Sequence, residues 1–148
     1  MKRWFSSLVL TSVLFATGAV KQAHSDEVTL ASAEAVFETL DNDKDHDSIV
    51  CIAVKNGNTV IASSCNTGGH WNDHSNHTVS LDVGSGWTRS ALSGRTKTEL
   101  SFSTNGNDKW EFNYVLRLNW SDGNPTEIRY NGQTLTQDDR FRSYAVSL

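Results

Sequence analysis

The stretch that decides the fold is Lys109–Trp120, which reads KWEFNYVLRLNW. Large apolar or aromatic side chains occupy every even position of this stretch, whereas most odd positions carry polar or charged side chains. Such alternation is typical of a β-strand with one buried face, because successive side chains of a strand point to opposite faces of its sheet. The sequence therefore predicts a long, half-buried strand here.

Shorter runs alternate in the same way around Leu81 and Leu100 and, more weakly, around Ile128. Turn signals rich in Gly, Asn, Asp and Ser separate the runs, at 56–57, 84–86, 93–94, 105–106, 122–123 and 131–132. This spacing is typical of all-β domains. We therefore predict a mainly β fold, an antiparallel β-sandwich of about eight or nine strands, with a closed barrel as the alternative.

One segment, 29–40, has a helical pattern instead. Its apolar residues fall on one face of a helix: Ala33, Val36, Phe37 and Leu40. Ser32 is a suitable N-cap, so the sequence predicts one short N-terminal helix. We expect residues 26–47 to form this helix and an acidic loop, and residues 48–148 to form the sandwich. The two parts are expected to make one domain.

The first 25 residues are typical of a secretory signal peptide, because Lys2 and Arg3 precede a mostly apolar segment that ends in small residues. Its removal takes away three basic residues and no acidic one, which leaves 10 Lys and Arg against 17 Asp and Glu, a formal charge of −7. Nucleic-acid-binding surfaces are basic, so this charge argues against a nucleic-acid partner. The sequence predicts a secreted or periplasmic protein and leaves its oligomeric state open.

The only cysteines, Cys51 and Cys65, flank two strand-like runs around a Gly/Asn turn. In an oxidising compartment such a pair is most simply a disulfide. If Cys51 faces Cys65, then Asn56 faces Val60 and residues 57–59 form a three-residue hairpin loop. The bridge is expected to fix the register of this hairpin.

An acidic run follows the predicted helix, with carboxylates at alternate positions: Asp41, Asp43, Asp45 and Asp47. Carboxylates spaced in this way repel one another unless solvent or a cation separates them, and calcium takes six to eight oxygen ligands. The run is not an EF-hand loop, because His46 replaces the required Gly and Ile52 replaces the bidentate Glu. It is either a solvated acidic linker or part of a calcium site.

Strand parity favours the calcium site, because every second connection of an up-and-down sheet lies at the same end. One end is expected to collect the segments 41–47, 66–77, 93–96, 121–125 and 137–140. The opposite end is expected to collect 55–58, 84–86, 104–108 and 131–132. All but one of the acidic residues in these segments belong to the first set. The sequence thus predicts an acidic rim at one end of the molecule.

Asp-rich loops and the strands beside them occur at 41–50, 71–78, 107–112 and 121–123. In spacing and residue type, the chain over about residues 45–140 resembles C2 and PLAT-type modules. The resemblance implies a non-catalytic module that uses calcium to organise its loops and to dock on a membrane, glycan or protein surface. The candidate calcium ligands are Asp41, Asp43, Asp45 and Asp47, with Asp73 and Asp139 as additional ones.

A second candidate metal site is the loop that contains His70, His74 and His77. Imidazole binds both zinc and copper, and three His ligands leave an open coordination position. The Asn, Asp and Ser residues between them disfavour the helix that would align the three side chains, so the sequence favours a solvated polar loop over a metal site. A transition-metal-binding protein is therefore one alternative function.

Two tryptophans, Trp71 and Trp87, lie at predicted strand edges and are candidates for a ligand-binding surface. A small secreted β-sandwich toxin or cytolysin is a further alternative, for which aromatic side chains have to cluster at a lipid-facing end.

The sequence contains neither a G-x-S-x-G elbow nor an H-E-x-x-H motif. We therefore expect the protein to act by binding, and not by catalysis.

Overall fold

The structure is a computed structural model that describes residues 27–148, so the predicted signal peptide, 1–25, lies outside the described residues. The described part contains eight β-strands and one short helix. These are β1 Leu30–Thr39, β2 Ile49–Asn56, β3 Thr59–Thr67, β4 Asn76–Val83, α1 Arg89–Leu92, β5 Thr96–Ser103, β6 Lys109–Trp120, β7 Thr126–Thr136 and β8 Phe141–Ala145. The predicted mainly β fold is confirmed.

All eight strands belong to one antiparallel sheet, in the order β7-β6-β1-β4-β3-β2-β5-β8, which curls nearly into a barrel. The sheet is narrowest between β3 and β4, which pair only through Ala62 with Val83 and Ser63 with Asp82. Four strands lie on each side of this narrow junction.

Side chains bridge the two ends of the sheet, β7 and β8. The Tyr130 hydroxyl donates a hydrogen bond to the carbonyl oxygen of Ala145 (2.7 Å), and the Tyr144 hydroxyl donates to Oε1 of Gln133 (2.8 Å). The rings of Tyr130 and Tyr144 stack with their centroids 4.3 Å apart. The seam between β7 and β8 is therefore closed by aromatic and polar side chains.

The core is centred on the ring of Phe37, which is fully buried on β1. Four aromatic rings surround it at centroid distances between 5.1 and 5.7 Å: Trp71, Trp110, Phe112 and Tyr114. Three of these rings come from β6, as the alternation in KWEFNYVLRLNW predicts. Such clusters add about 0.5–1.5 kcal/mol per pair to the free energy of burial.

The predicted helix over 29–40 is wrong, because these residues form β1, between β4 and β6. Ala33 and Phe37 fit both patterns, since they are four residues apart and so share a helical face as well as a strand face. The buried positions Ala33, Ala35, Phe37 and Thr39 alternate as in a strand. Pairing along both edges of β1 outweighs the high helix propensity of Ala and Glu, because tertiary contacts routinely override propensity.

The predicted disulfide between Cys51 and Cys65 is confirmed, but the hairpin turn is one residue tighter than predicted. Asn56 pairs with Thr59, so the loop is Gly57-Asn58, with Gly57 in the left-handed region (φ 60°). A bulge between Val54 and Lys55 then restores the register that is predicted near the cysteines.

The turn predicted at 131–132 is a β-bulge inside β7. Gly132 adopts a positive φ of 61°, which glycine permits without strain, and its N–H donates to Oδ1 of Asn113 (2.8 Å). An Asn-Gly pair is a common signal for a hairpin, but here it serves to bend a continuous strand.

The segment 84–95 is a single connection that contains α1, not two turns around a strand. The Thr88 hydroxyl caps this helix by accepting a hydrogen bond from the Ala91 N–H (3.2 Å). One strand fewer at this point reverses the direction of the strands that follow. As a result, the loops 104–108 and 121–125 exchange ends relative to the prediction.

The packing of β1 predicts unequal effects for two adjacent truncations. Phe37→Ala should lower the free energy of unfolding by about 3–5 kcal/mol, because it opens a cavity in the aromatic core. Val36→Ala, on the half-buried opposite face, should lower it by less than about 1 kcal/mol. Urea denaturation measures both changes. Equal losses would contradict the strand, because the two residues share a face only in a helix.

Candidate functional site

The acidic end of the molecule, as we call it below, consists of the loops 40–48, 68–75, 104–108 and 137–140. It carries the acidic residues Asp41, Asp43, Asp45, Asp47, Asp73, Asp108, Asp138 and Asp139. Two segments predicted to lie here, 93–96 and 121–125, lie at the opposite end, where Asp122 pairs with Arg89 (3.1 Å). Asp108, which the parity argument placed at the opposite end, belongs to the acidic end.

The first two loops of the acidic end are joined through their backbones. Lys44 and Trp71 form an isolated antiparallel bridge, with N–H to carbonyl distances of 3.1 and 3.0 Å in the two directions. Nearby, the Gly69 N–H donates to the carbonyl oxygen of His46 (3.3 Å). These bonds give the acidic run a fixed shape.

The centre of the acidic run is a buried cation, the ammonium group of Lys44. The side chain is fully buried, and Nζ donates hydrogen bonds to the carbonyl oxygens of Ser48 (2.6 Å), Gly69 (2.6 Å) and Asp45 (3.2 Å). It also lies 5.1 Å from the centroid of the Trp71 ring. The ammonium has three donors, so all of them are satisfied. Lys44 thus occupies a place among carbonyl oxygens that a bound metal ion commonly takes.

Burial lowers the pKa of Lys44, since a desolvated ammonium is less stable than a hydrated one. The negative charges of Asp108, Asp45 and Asp47 act in the opposite direction and favour the protonated form. Lys44 was not among the site residues predicted from the sequence, which were the carboxylates around it. A basic residue flanked by acids at alternate positions was the available signal.

A pair of carboxylates, Asp45 and Asp108, lies beside this cation. The Asp45 N–H donates to Oδ2 of Asp108 (3.2 Å), and Asp108 is nearly buried. The charge of Asp108 is the largest cause of the raised pKa of Asp45, followed by desolvation and by the charges of Asp43 and Asp47. The acidic end therefore retains unrelieved repulsion between carboxylates even with Lys44 in place.

Two of the predicted histidine ligands pair with two of the predicted aspartate ligands. His70 Nε2 contacts Oδ2 of Asp43, and His74 Nε2 lies 3.4 Å from Oδ1 of Asp41. All four side chains are exposed to a substantial extent. These pairs link the loops 40–48 and 68–75 on the outside, above the buried Lys44.

The third histidine, His77, faces a different environment. Its ring stacks on Trp71 at a centroid distance of 4.4 Å, and its Nε2 lies 2.9 Å from Oγ of Ser75. Burial, and then the charge of Lys44, lower the pKa of His77 and favour its neutral form. The three histidines therefore have three separate partners in this structure.

The remaining predicted ligands are dispersed over the acidic end. Asp47 and Asp73 are exposed, and Asp139 forms an ion pair with Arg142 (2.6 Å), whose hydrogen bond lowers the pKa of Asp139. Among residues 27–148, no three side chains of Asp, Glu, His or Cys converge closely enough to form a metal-binding group.

The two tryptophans predicted at a ligand surface both pack against the core. Trp71 is only 6% exposed and lies between Phe37 and the ring of His77, so it offers no open face to a ligand. Trp87 is half-buried. The position of Trp71 at a predicted strand edge suggested exposure, whereas its backbone pairing with Lys44 places it beside the core.

Replacement of the buried lysine should disrupt the acidic end. Lys44→Met keeps most of the volume but leaves the carbonyl oxygens of Ser48 and Gly69 without their donor. We expect the free energy of unfolding to fall by about 3–5 kcal/mol, the range for removal of one partner from a buried charged group. The control Lys109→Met, at an exposed ion pair, should cost less than about 1 kcal/mol. Similar small losses in both variants would contradict the buried cation.

Removal of the carboxylate of Asp45 should raise the free energy of unfolding, in contrast to the replacement of Lys44. In metal-free buffer, Asp45→Asn should stabilise the protein slightly at neutral pH, because the raised pKa of Asp45 means that the folded state disfavours its charged form. Wild-type stability should accordingly fall as pH rises through that pKa, and the variant should lack this dependence. The gain should vanish below about pH 4, near the unfolded-state pKa.

Urea denaturation at several pH values measures this effect. Asp82→Asn, an exposed site on β4, is the control and should be neutral within about 0.5 kcal/mol. A loss of stability at neutral pH for Asp45→Asn would show that the carboxylate attracts more than it repels.

No helix within residues 27–148 is long and apolar enough to cross a membrane. Comparison of the chain with protein-family models and with curated protein sequences gives no match.

Proposed function

We propose that the protein is an exported, non-catalytic binding module whose acidic end binds calcium and, through the ion, docks on a membrane, glycan or protein surface. The observation that carries the proposal is the crowding of carboxylates around Asp45: its N–H donates to Oδ2 of Asp108 (3.2 Å), and the charges of Asp108, Asp43 and Asp47 raise its pKa. A divalent cation relieves this repulsion, and carboxylate oxygens are the ligands that calcium prefers.

The surroundings of Lys44 support the same proposal. Lys44 already holds the loops 40–48 and 68–75 together, so the surface at the acidic end is largely preformed. A metal ion that binds there therefore spends little free energy on ordering the loops. We propose that Asp43, Asp45 and Asp47 bind the ion at the outer side of the run. Water molecules complete the coordination, and groups of a docking partner can replace them.

The architecture supports a comparison with C2 and PLAT-type modules at the level of layout. We propose that the two four-stranded halves of the sheet act as the two layers of a sandwich, since only two residue pairs join them. The acidic loops then extend from one end of the sandwich, where those modules bind calcium. The disulfide between Cys51 and Cys65 fits an extracellular location, which is part of this proposal.

Zinc or copper binding is a second candidate, favoured by one observation. The pairs His70–Asp43 and His74–Asp41 place imidazole nitrogens beside carboxylates on two adjoining loops. Both side-chain types bind zinc, and the two pairs join the same two loops. The toxin alternative has no comparable support, because the exposed large apolar residues among 27–148, Val60 and Phe141, lie on different strands.

Thermal unfolding in EDTA and in increasing calcium tests the proposal. Binding to the folded state should raise the free energy of unfolding by about 2.7 kcal/mol at a hundredfold excess over the dissociation constant. The double change Asp43→Asn with Asp45→Asn should abolish this shift. The control, Asp82→Asn with Glu27→Gln, removes the same charge away from the acidic end and should leave the shift intact.

Two results would contradict the calcium proposal. One is the absence of any shift up to millimolar calcium in a folded protein. The other is a shift with zinc alone that His70→Gln or His74→Gln removes, which would assign the acidic end to a transition metal.

A further inference from the structure

The strand β7 is the last strand at one end of the sheet, and it is longer than β8 across the seam, with 11 residues against 5. The side-chain bonds to β8 involve Tyr130, Gln133 and Thr134. Residues 126–129 lie before this bridged part of the strand. We call residues 126–129 the β7 edge.

The inner face of the β7 edge is incompletely covered. Thr126 and Ile128 are half-buried, whereas the β6 residues that pair with them, Leu118 and Leu116, are buried. An edge strand presents unpaired backbone groups, and partly exposed apolar side chains beside it favour the addition of another strand. The β7 edge therefore has the character of a docking surface.

The charges of the β7 edge are arranged to complement a second copy of the same edge. Glu127 and Arg129, on either side of Ile128 in the sequence, are both exposed on the outer face of the sheet. Glu127 uses Oε1 to accept a hydrogen bond from Nε of Arg117 (2.7 Å), which leaves its second oxygen available. Within residues 27–148, Arg129 has no ion-pair partner.

In an antiparallel pair of two such edges, with the two-fold axis at Ile128, each Glu127 lies opposite the partner's Arg129. The same axis places Ile128 opposite the partner's Ile128 and covers the apolar inner face. Opposite charges at facing positions contribute about 0.2–1 kcal/mol per pair. A two-fold axis uses the same patch on both subunits, so each favourable pair occurs twice.

We propose that the protein forms a homodimer in which the β7 edges of two copies pair antiparallel and extend the sheet across the two-fold axis. The pairing segment is short, and interfaces below about 1,200 Å² are typical of weak and transient complexes. The dimer is therefore concentration-dependent and dissociates on dilution. It lies on the side of the sheet and leaves the acidic end of each copy free.

Sedimentation velocity from micromolar to millimolar protein tests the dimer with a charge-exchange design. Glu127→Arg places two positive charges on each edge, and Arg129→Glu places two negative charges there. Each variant alone should remain monomeric, and an equal mixture of the two should dimerise again, because every facing pair is then of opposite sign. The control Arg140→Glu, at the acidic end, makes the same charge change as Arg129→Glu and should dimerise like the wild type.

The proposal is overturned if the wild type stays monomeric over the whole range, or if the mixture of folded variants fails to associate. Because Glu127→Arg also removes the bond to Arg117, amide chemical shifts of the wild type supply a measurement that needs no variant. Amides of residues 126–130 should shift with protein concentration. Shifts confined to another part of the chain would place the interface elsewhere and refute the β7 pairing.

Discussion

The buried ammonium of Lys44 is the interaction on which the acidic end depends. Removing an ammonium from water costs several kcal/mol, so it is stable only where hydrogen bonds and nearby charges replace its hydration. Here one carbonyl comes from its own loop, at Ser48, and another from the second loop, at Gly69. If the loops 40–48 and 68–75 separate, the ammonium of Lys44 either becomes exposed to water or stays buried with fewer hydrogen-bond acceptors. Through Trp71, the same group is also joined to the aromatic core around Phe37.

A built-in cation changes the meaning of the acidic run. A run of four carboxylates without a counter-charge would need solvent or a metal ion to separate them, whereas Lys44 lets the loops adopt one shape in the absence of any metal. What remains for a ligand is the outer side, where the carboxylates still repel one another around Asp45. Under the proposed function, a calcium ion bound there would add charge compensation to a surface that Lys44 already holds in shape, as suits a docking module.

The sequence predicts the parts of the structure that depend on local pattern. The alternation of Lys109–Trp120, the disulfide partners and the mainly β architecture follow from periodicity and composition. The strand β1 could not be predicted in this way. Ala33 and Phe37 fit the periodicity of a helix as well as that of a strand, and only the pairing of β1 with β4 and β6 decides between the two. Likewise, a Gly-containing bulge at Gly132 and a hairpin turn have the same local signal.

The sequence predicted that the acidic run and the histidine loop lie at the same end of the molecule, but not that Lys44 is buried between them. The run 41–47 and the histidine loop do meet, because the bridge between Lys44 and Trp71 joins them. Which loops share an end depended on one strand assignment within 84–95, and an error there moved Asp108 and Asp122 to the wrong ends. The burial of Lys44 and Trp71 could not be predicted from neighbours in sequence, since both lie among polar residues and face inward only through contacts across the fold.

The most direct measurement of the central claim is the nuclear magnetic resonance signal of the Lys44 side chain in metal-free protein at neutral pH. We expect a protonated ammonium that exchanges its hydrogens slowly with water, with cross-relaxation to the ring of Trp71. A Lys44 signal that exchanges rapidly and matches those of the exposed lysines would contradict it, and the acidic end would then lack its internal cation.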